Sequence, residues 1–129
     1  MRYLLDSSVL IDLINDRRGR RALIASLVRR GDIFQTTAIN VAEVFAGMRV
    51  NEEFNTTAVL AKFDSFDITS RVARKGGTIK SFWSTKGKTL ELPDCLVAAV
   101  AIEEELVLMT DNHRHFPMPE LVLFDWPKA

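Results

Sequence analysis

Residues 2–14 read Arg-Tyr-Leu-Leu-Asp-Ser-Ser-Val-Leu-Ile-Asp-Leu-Ile. Arg2 to Leu5 reads as a short strand stopped by Asp6, and Ser7 to Ile14 continues as a helix with Asp6 or Ser7 at its cap. The same change of period recurs along the chain. Arg20 to Arg29 places Leu23, Ile24, Leu27 and Val28 at helical spacing, and a strand follows over residues 33–36. Thr37 then caps a helix to about Met48 that buries Val41, Val44, Phe45 and Met48. Further on, a helix is expected over 52–63, a strand over 65–68, and a helix from Thr69 or Ser70 to Thr85 that buries Val72, Ile79 and Phe82. Pro93 suits a first helical position and opens a helix to about Glu104; a strand over 106–110 and an edge strand over 121–124 complete the pattern. Short strands alternating with longer helices predict an α/β fold with a parallel sheet.

A chain of 129 residues, 47% hydrophobic and 26% charged, fits a single soluble domain spanning residues 1–129. No run approaches the roughly 18 apolar residues of a membrane span. Charge also arrives too early at the start for a signal-peptide core. The single cysteine, Cys95, reads as a buried small hydrophobe and fits a reducing cytosol, so a cytoplasmic protein is expected. The 17 basic and 17 acidic residues cancel overall but segregate locally. Arg17, Arg18, Arg20 and Arg21 form one cluster with Arg29 and Arg30 close behind; Arg71, Arg74, Lys75, Lys80, Lys86 and Lys88 form another. Either cluster alone reads as a solvated helix face, and together they permit a nucleic-acid ligand without demanding one.

Carboxylates mark the ends of these elements. Asp6 closes the first strand, Asp111 closes the run Leu106–Thr110, and Asp94 follows Pro93 at the head of an apolar helix. In an open α/β sheet the strand ends face one crevice, where acids would repel one another unless a cation held them. That pattern points to a metal site and to phosphate chemistry. Singly, Asp6 reads as a helix cap, Asp94 as a first-turn acid favoured by the helix dipole, and Asp111-Asn112 as a turn. Glu43 resists such a reading: it sits in the apolar stretch Asn40-Val41-Ala42-Glu43-Val44-Phe45-Ala46-Gly47, sharing a helix face with Asn40 and Gly47. An ionised glutamate near a core needs a compensating charge, and with no basic residue between positions 31 and 48 a metal or a remote basic group is expected to supply it. Asp12 and Asp16 read as a solvated helix face, and His113 and His115, two residues apart, read as loop residues.

Five segments carry a family resemblance. Leu4-Leu5-Asp6-Ser7-Ser8-Val9-Leu10-Ile11-Asp12 resembles the opening of PIN-domain ribonucleases, particularly the VapC toxins of toxin–antitoxin pairs. Residues 40–47 are similar to their second acidic motif, Pro93-Asp94-Cys95-Leu96-Val97-Ala98-Ala99 to the third, and residues 108–116 to the closing motif. Phe124-Asp125-Trp126 resembles the usual tail. Two departures stand out. Many members carry an extra acid where this chain has Leu92, and asparagine is frequent where it has Ser8.

The resemblance implies a three-layer α/β/α sandwich around a mainly parallel sheet of four or five strands. It also implies an endoribonuclease dependent on Mg²⁺ or Mn²⁺, a choice that hard oxygen ligands favour over zinc. Asp6, Glu43 and Asp94 would hold the metal, with Asp111 or Asn112 completing the shell, and Ser8 and Thr110 hydrogen-bonding a carboxylate or a bound water. The implied partners are an RNA substrate, a VapB-like antitoxin, and a second copy in a homodimer. Helices around residues 7–30 and 52–63 are candidates for the antitoxin contact, with Leu13, Ile14, Val59 and Leu60 as anchors or as core. A stand-alone RNA-processing nuclease and a catalytically silent RNA-binding PIN domain are the alternatives. A receiver-like domain lacks its paired acids and late lysine here, and an aspartyl phosphatase would need aspartate in place of Ser8.

Overall fold

Residues 1–128 are described by the structure, a computed structural model. Its strands are β1 (Arg2–Leu5), β2 (Ile33–Thr37), β3 (Asp64–Phe66) and β4 (Val107–Met109), in the order β3-β2-β1-β4. Every pairing is parallel, with Tyr3 set between Phe34 and Val107. The helices are α1 (Ser7–Asn15), α2 (Arg20–Arg29), α3 (Ala38–Gly47), α4 (Glu53–Leu60), α5 (Ser70–Thr85) and α6 (Leu92–Glu103).

Strand β1 is central and covered on both faces, which is why its apolar run is continuous. Tyr3 and Leu5 join one core with Leu10 and Leu13 of α1, Ile24 of α2 and Leu60 of α4. Leu4 points the other way, into a core with Val97 and Val100 of α6, Leu106 and Leu108. Val72 and Ile79 of α5 pack against that second core. Alternation along one short strand therefore builds the α/β/α sandwich. Strand β2 lies on one side of β1 and β4 on the other, so the chain reverses its direction across the sheet between β1 and β4. The carboxyl ends of those two strands flank the crevice where open α/β sheets bind ligands.

Several elements differ from expectation. The edge strand over 121–124 is reduced to one parallel bridge, Leu108 with Leu123. The Phe124 N–H still donates to the Leu108 carbonyl at 2.8 Å, and its ring packs edge-on against Tyr3 and Trp126, at ring separations of 5.6 and 4.9 Å. The segment expected as a helix over 52–63 starts with a 3-10 turn, Val50–Glu52, and its α-helical part is Glu53–Leu60. Met48 lies just past α3 and is only half-buried. Phe82 was expected inside but is 52% exposed. The buried stripe of α5 runs through Val72, Gly76, Ile79 and Trp83, and Phe82 falls roughly 100° away from Trp83 around the helix.

Gly76 explains why α5 tolerates two consecutive glycines. A Cβ there would stand 3.2 Å from Leu96 Cα and 3.3 Å from the Cys95 carbonyl oxygen, backbone atoms of α6 that cannot swing aside. A Cβ on Gly77 would meet nothing within 4 Å. Gly76→Ala is expected to lower stability by about 1–3 kcal/mol through overpacking, and Gly77→Ala to raise it by up to about 1 kcal/mol through helix propensity. Urea unfolding of the two variants checks the opposite signs; equal effects would contradict this packing.

Candidate metal centre

Asp6 occupies the N-cap position of α1 but makes no capping hydrogen bond with its side chain. The reading of Asp6 as a simple helix cap therefore fails. Its carboxylate accepts instead from Asn40 Nδ2 at 3.0 Å and from Thr110 Oγ1 at 2.6 Å. Asn40 is fully buried in the first turns of α3. Thr37 caps that helix by accepting from the Asn40 N–H at 3.2 Å, and its hydroxyl donates to Asn40 Oδ1 at 2.7 Å. The amide's oxygen is thus occupied, its NH₂ is aimed at Asp6, and its flip state is fixed by chemistry. A carboxylate offers about four lone-pair sites, so two donors leave Asp6 capacity for a ligand.

Glu43 lies one turn along α3 from Asn40, and its Oε1 accepts from Ser7 Oγ at 2.7 Å. The expectation that Glu43 sits near the core and needs a compensating charge is corrected: its side chain is exposed. Its neighbours in an apolar sequence belong to the core face, while Glu43 itself faces an open cleft of about 320 Å³. Asp6, Ser7, Ser8, Glu43, Asp94 and Asn112 line that cleft, together with Glu91 and His115.

Asp94 sits in the first turn of α6, which Pro93 helps to start. Burial, then the negative charge of Asp6, raises its pKa from 3.8 to about 6; His115 opposes the rise, and Glu43 and Glu91 add to it. His115 Nδ1 lies 3.2 Å from Asp94 Oδ2, so the loop reading of His115 missed a site residue. Glu91 and Ser7 were missed as well. Glu91, one residue before the Leu92 that departs from the family pattern, lines the cleft from the N-cap of α6.

Asp111 and Asn112 part company. Asn112 turns into the cleft, its backbone N–H donating to Thr110 Oγ1 at 3.0 Å. Asp111 turns toward α2, where Arg20 Nη2 reaches its Oδ1 at 2.7 Å and Arg18 Nη1 its Oδ2 at 3.2 Å. Asp12 completes this ion network with Arg18 at 3.3 Å and Arg20 at 3.5 Å, and it is buried, which corrects its reading as a solvated acid. Its Oδ2 has those cations beside it but no well-formed hydrogen bond. Arg20 also lies over the Trp126 ring at 3.6 Å, and Trp126 Nε1 donates to the Thr110 carbonyl at 3.0 Å. Part of the first arginine cluster is therefore internal structure. Ser8 accepts from the Asp111 N–H at 3.2 Å, so the serine that donates to a carboxylate is Ser7.

The donor set suits a hard divalent cation. Asp6, Glu43, Asp94 and Asn112 offer only oxygen donors, and no cation faces them except the imidazole of His115 when protonated. Among the described residues no three acids, histidines or cysteines stand close enough together to hold a metal ion by themselves.

Residues 3–119 match the family model described as PIN domain. The chain is 32% identical over 117 residues to ribonuclease VapC10 of Mycobacterium tuberculosis, covering 91% of this chain and 87% of that one. Ribonuclease VapC19 of the same species is 29% identical, with 92% and 95% covered. Among solved structures, VapBC2 of Rickettsia felis bound to a promoter DNA fragment superposes with a TM-score of 0.85 at 22% identity, over 98% of this chain and 100% of the other. A toxin–antitoxin complex from Klebsiella pneumoniae gives 0.75 at 26% identity, over 93% and 95%.

Asp94 yields a stability test. Its pKa is higher in the folded chain than the usual 3.8, so its contribution favours the metal-free fold below pH 3.8 and is lost as pH rises to about 6. Asp94→Asn removes that loss and is expected to raise the Tm at pH 7 in a chelator by a few degrees, for roughly 1–2 kcal/mol. At pH 3.5 the two proteins should melt together, and Mg²⁺ at pH 7 should stabilise only the wild type. A variant less stable than wild type in the chelator at pH 7 would overturn the electrostatic assignment.

Proposed function

This chain belongs to the PIN-domain family, and from that premise we propose that it is a metal-dependent endoribonuclease acting as the toxin of a VapBC-type pair. The observation that carries the reading is that Asp6, Glu43 and Asp94, from three separate elements, all line one open cleft at the β1/β4 switch point. Relatives named ribonuclease VapC at 29% and 32% identity support RNA as the substrate. We assign metal binding to Asp6, Glu43 and Asp94 with Asn112, and Mg²⁺ or Mn²⁺ as the ion.

In hydrolysis the oxygen of water bonds to phosphorus, a bridging P–O bond breaks, and a proton of that water ends on the leaving oxygen. A bound divalent cation would acidify the water and offset charge on the phosphate. The chain's own residues set the stage for this. Asn40 and Thr110 fix Asp6 from below, Ser7 orients Glu43, and the Thr110–Asn112 contact folds the loop so that Asn112 enters the cleft. Asp111 acts as an anchor: through Arg20 it holds the start of that loop against α2.

We place a VapB-like antitoxin in the groove of about 580 Å³ between α2 and α4, whose walls include Ile24, Val28, Ala58 and Phe63, with Arg21 and Lys62 on its rim. Of the anticipated anchors, Ile14 and Leu60 are core residues, while Leu13 and Val59 are buried and reach the groove floor. A cytoplasmic homodimer completes the proposal. No helix among the described residues is long and apolar enough to cross a membrane, and the buried free thiol of Cys95 suits a reducing compartment.

One series of assays tests the proposal. Wild type should cleave RNA with Mg²⁺ or Mn²⁺ and stop in a chelator, while Asp6→Asn and Asp94→Asn should lose at least 100-fold of the rate yet remain folded. Full activity in either variant sinks the mechanism. Val28→Glu should cleave like wild type but escape inhibition by a co-expressed antitoxin; unchanged inhibition would move the partner away from this groove.

A further inference from the structure

The α5 face is a strongly charged surface that the cleft leaves unused. Between Ile68 and Leu90 the chain carries Arg71, Arg74, Lys75, Lys80, Lys86 and Lys88 and no aspartate or glutamate, although the protein's net charge is zero. Glu103 engages two of these cations, Arg71 and Lys75, each at 3.1 Å. Lys80 donates to the Leu90 carbonyl. Arg74, Lys86 and Lys88 remain exposed and free of ion pairs among the described residues.

An aromatic platform lies among these cations. Phe82 is the large apolar side chain that α5 leaves exposed, with Trp83 edge-on at 5.7 Å and Lys86 Nζ 5.0 Å from its ring centre. Phe82, Trp83, Ile79 and Pro119 floor a groove of about 580 Å³ edged by Arg71, Arg74 and Lys75 and also by Glu103 and Glu120. Pairing of Arg71 and Lys75 with Glu103 ties the start of α5 to the end of α6, so the end of α5 lies near the start of α6. There Glu91, Pro93 and Asp94 line the cleft. Lys88 is three residues from Glu91, within roughly 10 Å even if that segment is extended.

We propose that the α5 face is an accessory track for single-stranded RNA, in which Phe82 stacks an unpaired base while Arg74, Lys86 and Lys88 neutralise phosphates leading away from the cleft. This inference rests on the ribonuclease reading. Exposed aromatics set among cations are how proteins hold single strands without reading sequence, because every base has a π-face. A two-fold contact between copies would set this cationic face against itself, so charge favours a polyanion over a second copy.

The test is fluorescence anisotropy with the full chain and a labelled 16-nucleotide unstructured RNA, in chelator so that nothing is cut. Phe82→Ala and the pair Lys86→Ala/Lys88→Ala should each weaken binding about tenfold. Phe82→Trp should restore affinity, and the lysine pair should lower the salt slope by about 0.7 per lost contact. Affinity for a blunt RNA duplex should not change with Phe82→Ala. Wild-type affinity of both variants for the single strand overturns the track, and so does a wild type that binds no RNA. A dimer that Phe82→Ala converts to monomer in light scattering overturns it too, by making α5 an interface between copies. RNA bound with this dependence but never cleaved supports the track and removes only the nuclease reading.

Discussion

A single buried hydrogen bond, from the Asn40 amide to the Asp6 carboxylate, ties the two halves of the site together. Asp6 ends the central strand and Asn40 begins α3, so the bond fixes where Glu43 stands relative to Asp6. Both partners are buried, and neither tolerates loss of the other cheaply: an unpaired buried carboxylate or amide costs about 1–3 kcal/mol or more. Thr37 holds the amide from behind and Thr110 takes the second oxygen of Asp6. Four side chains from β2, α3, the β1 end and the β4 end thus make one rigid floor.

Above that floor the charges are deliberately uncompensated. Asp94 is half-buried beside Asp6, and burial first, then the charge of Asp6, raises its pKa. Outside the cleft, the acids find arginines. Asp12 and Asp111 share Arg18 and Arg20, and the ring of Trp126 covers Arg20. Acids that pair with protein cations thus lie apart from the acids of the cleft, to which we assign an external cation. The same division explains how a chain of zero net charge can present an acidic cleft, a partly internal arginine cluster and a basic α5 face.

Much of this was legible beforehand. The strand–helix alternation yielded the parallel sheet and both faces of its core, because apolar periodicity is a local property that burial enforces. Asp6 and Asp94 stood out by their places at element ends, Glu43 by its apolar setting, and all three by the family motifs; the fold brings them to one cleft. What escaped depends on distances between remote segments. His115 meets Asp94 across 21 residues, Ser7 meets Glu43 across 36, and Arg20 meets Asp111 across 91. Nothing local distinguishes Asp111 from Asn112, since adjacent residues in a turn point in different directions. Glu43 was picked for a mistaken reason: its apolar neighbours suggested burial, whereas the helix turns it into the cleft. Phe82 shows the opposite error, an apolar residue at near-helical spacing that falls just off the buried stripe.

The most direct measurement is Mn²⁺ binding followed by water-proton relaxation on the purified chain, with no RNA present. Wild type should bind the ion, Asp6→Asn and Asp94→Asn should each weaken it at least tenfold, and Asp111→Asn should bind as wild type while melting at a lower temperature. Unchanged Mn²⁺ affinity in Asp6→Asn, or its loss in Asp111→Asn alone, would contradict the division of the acids into a cation site and an internal ion network.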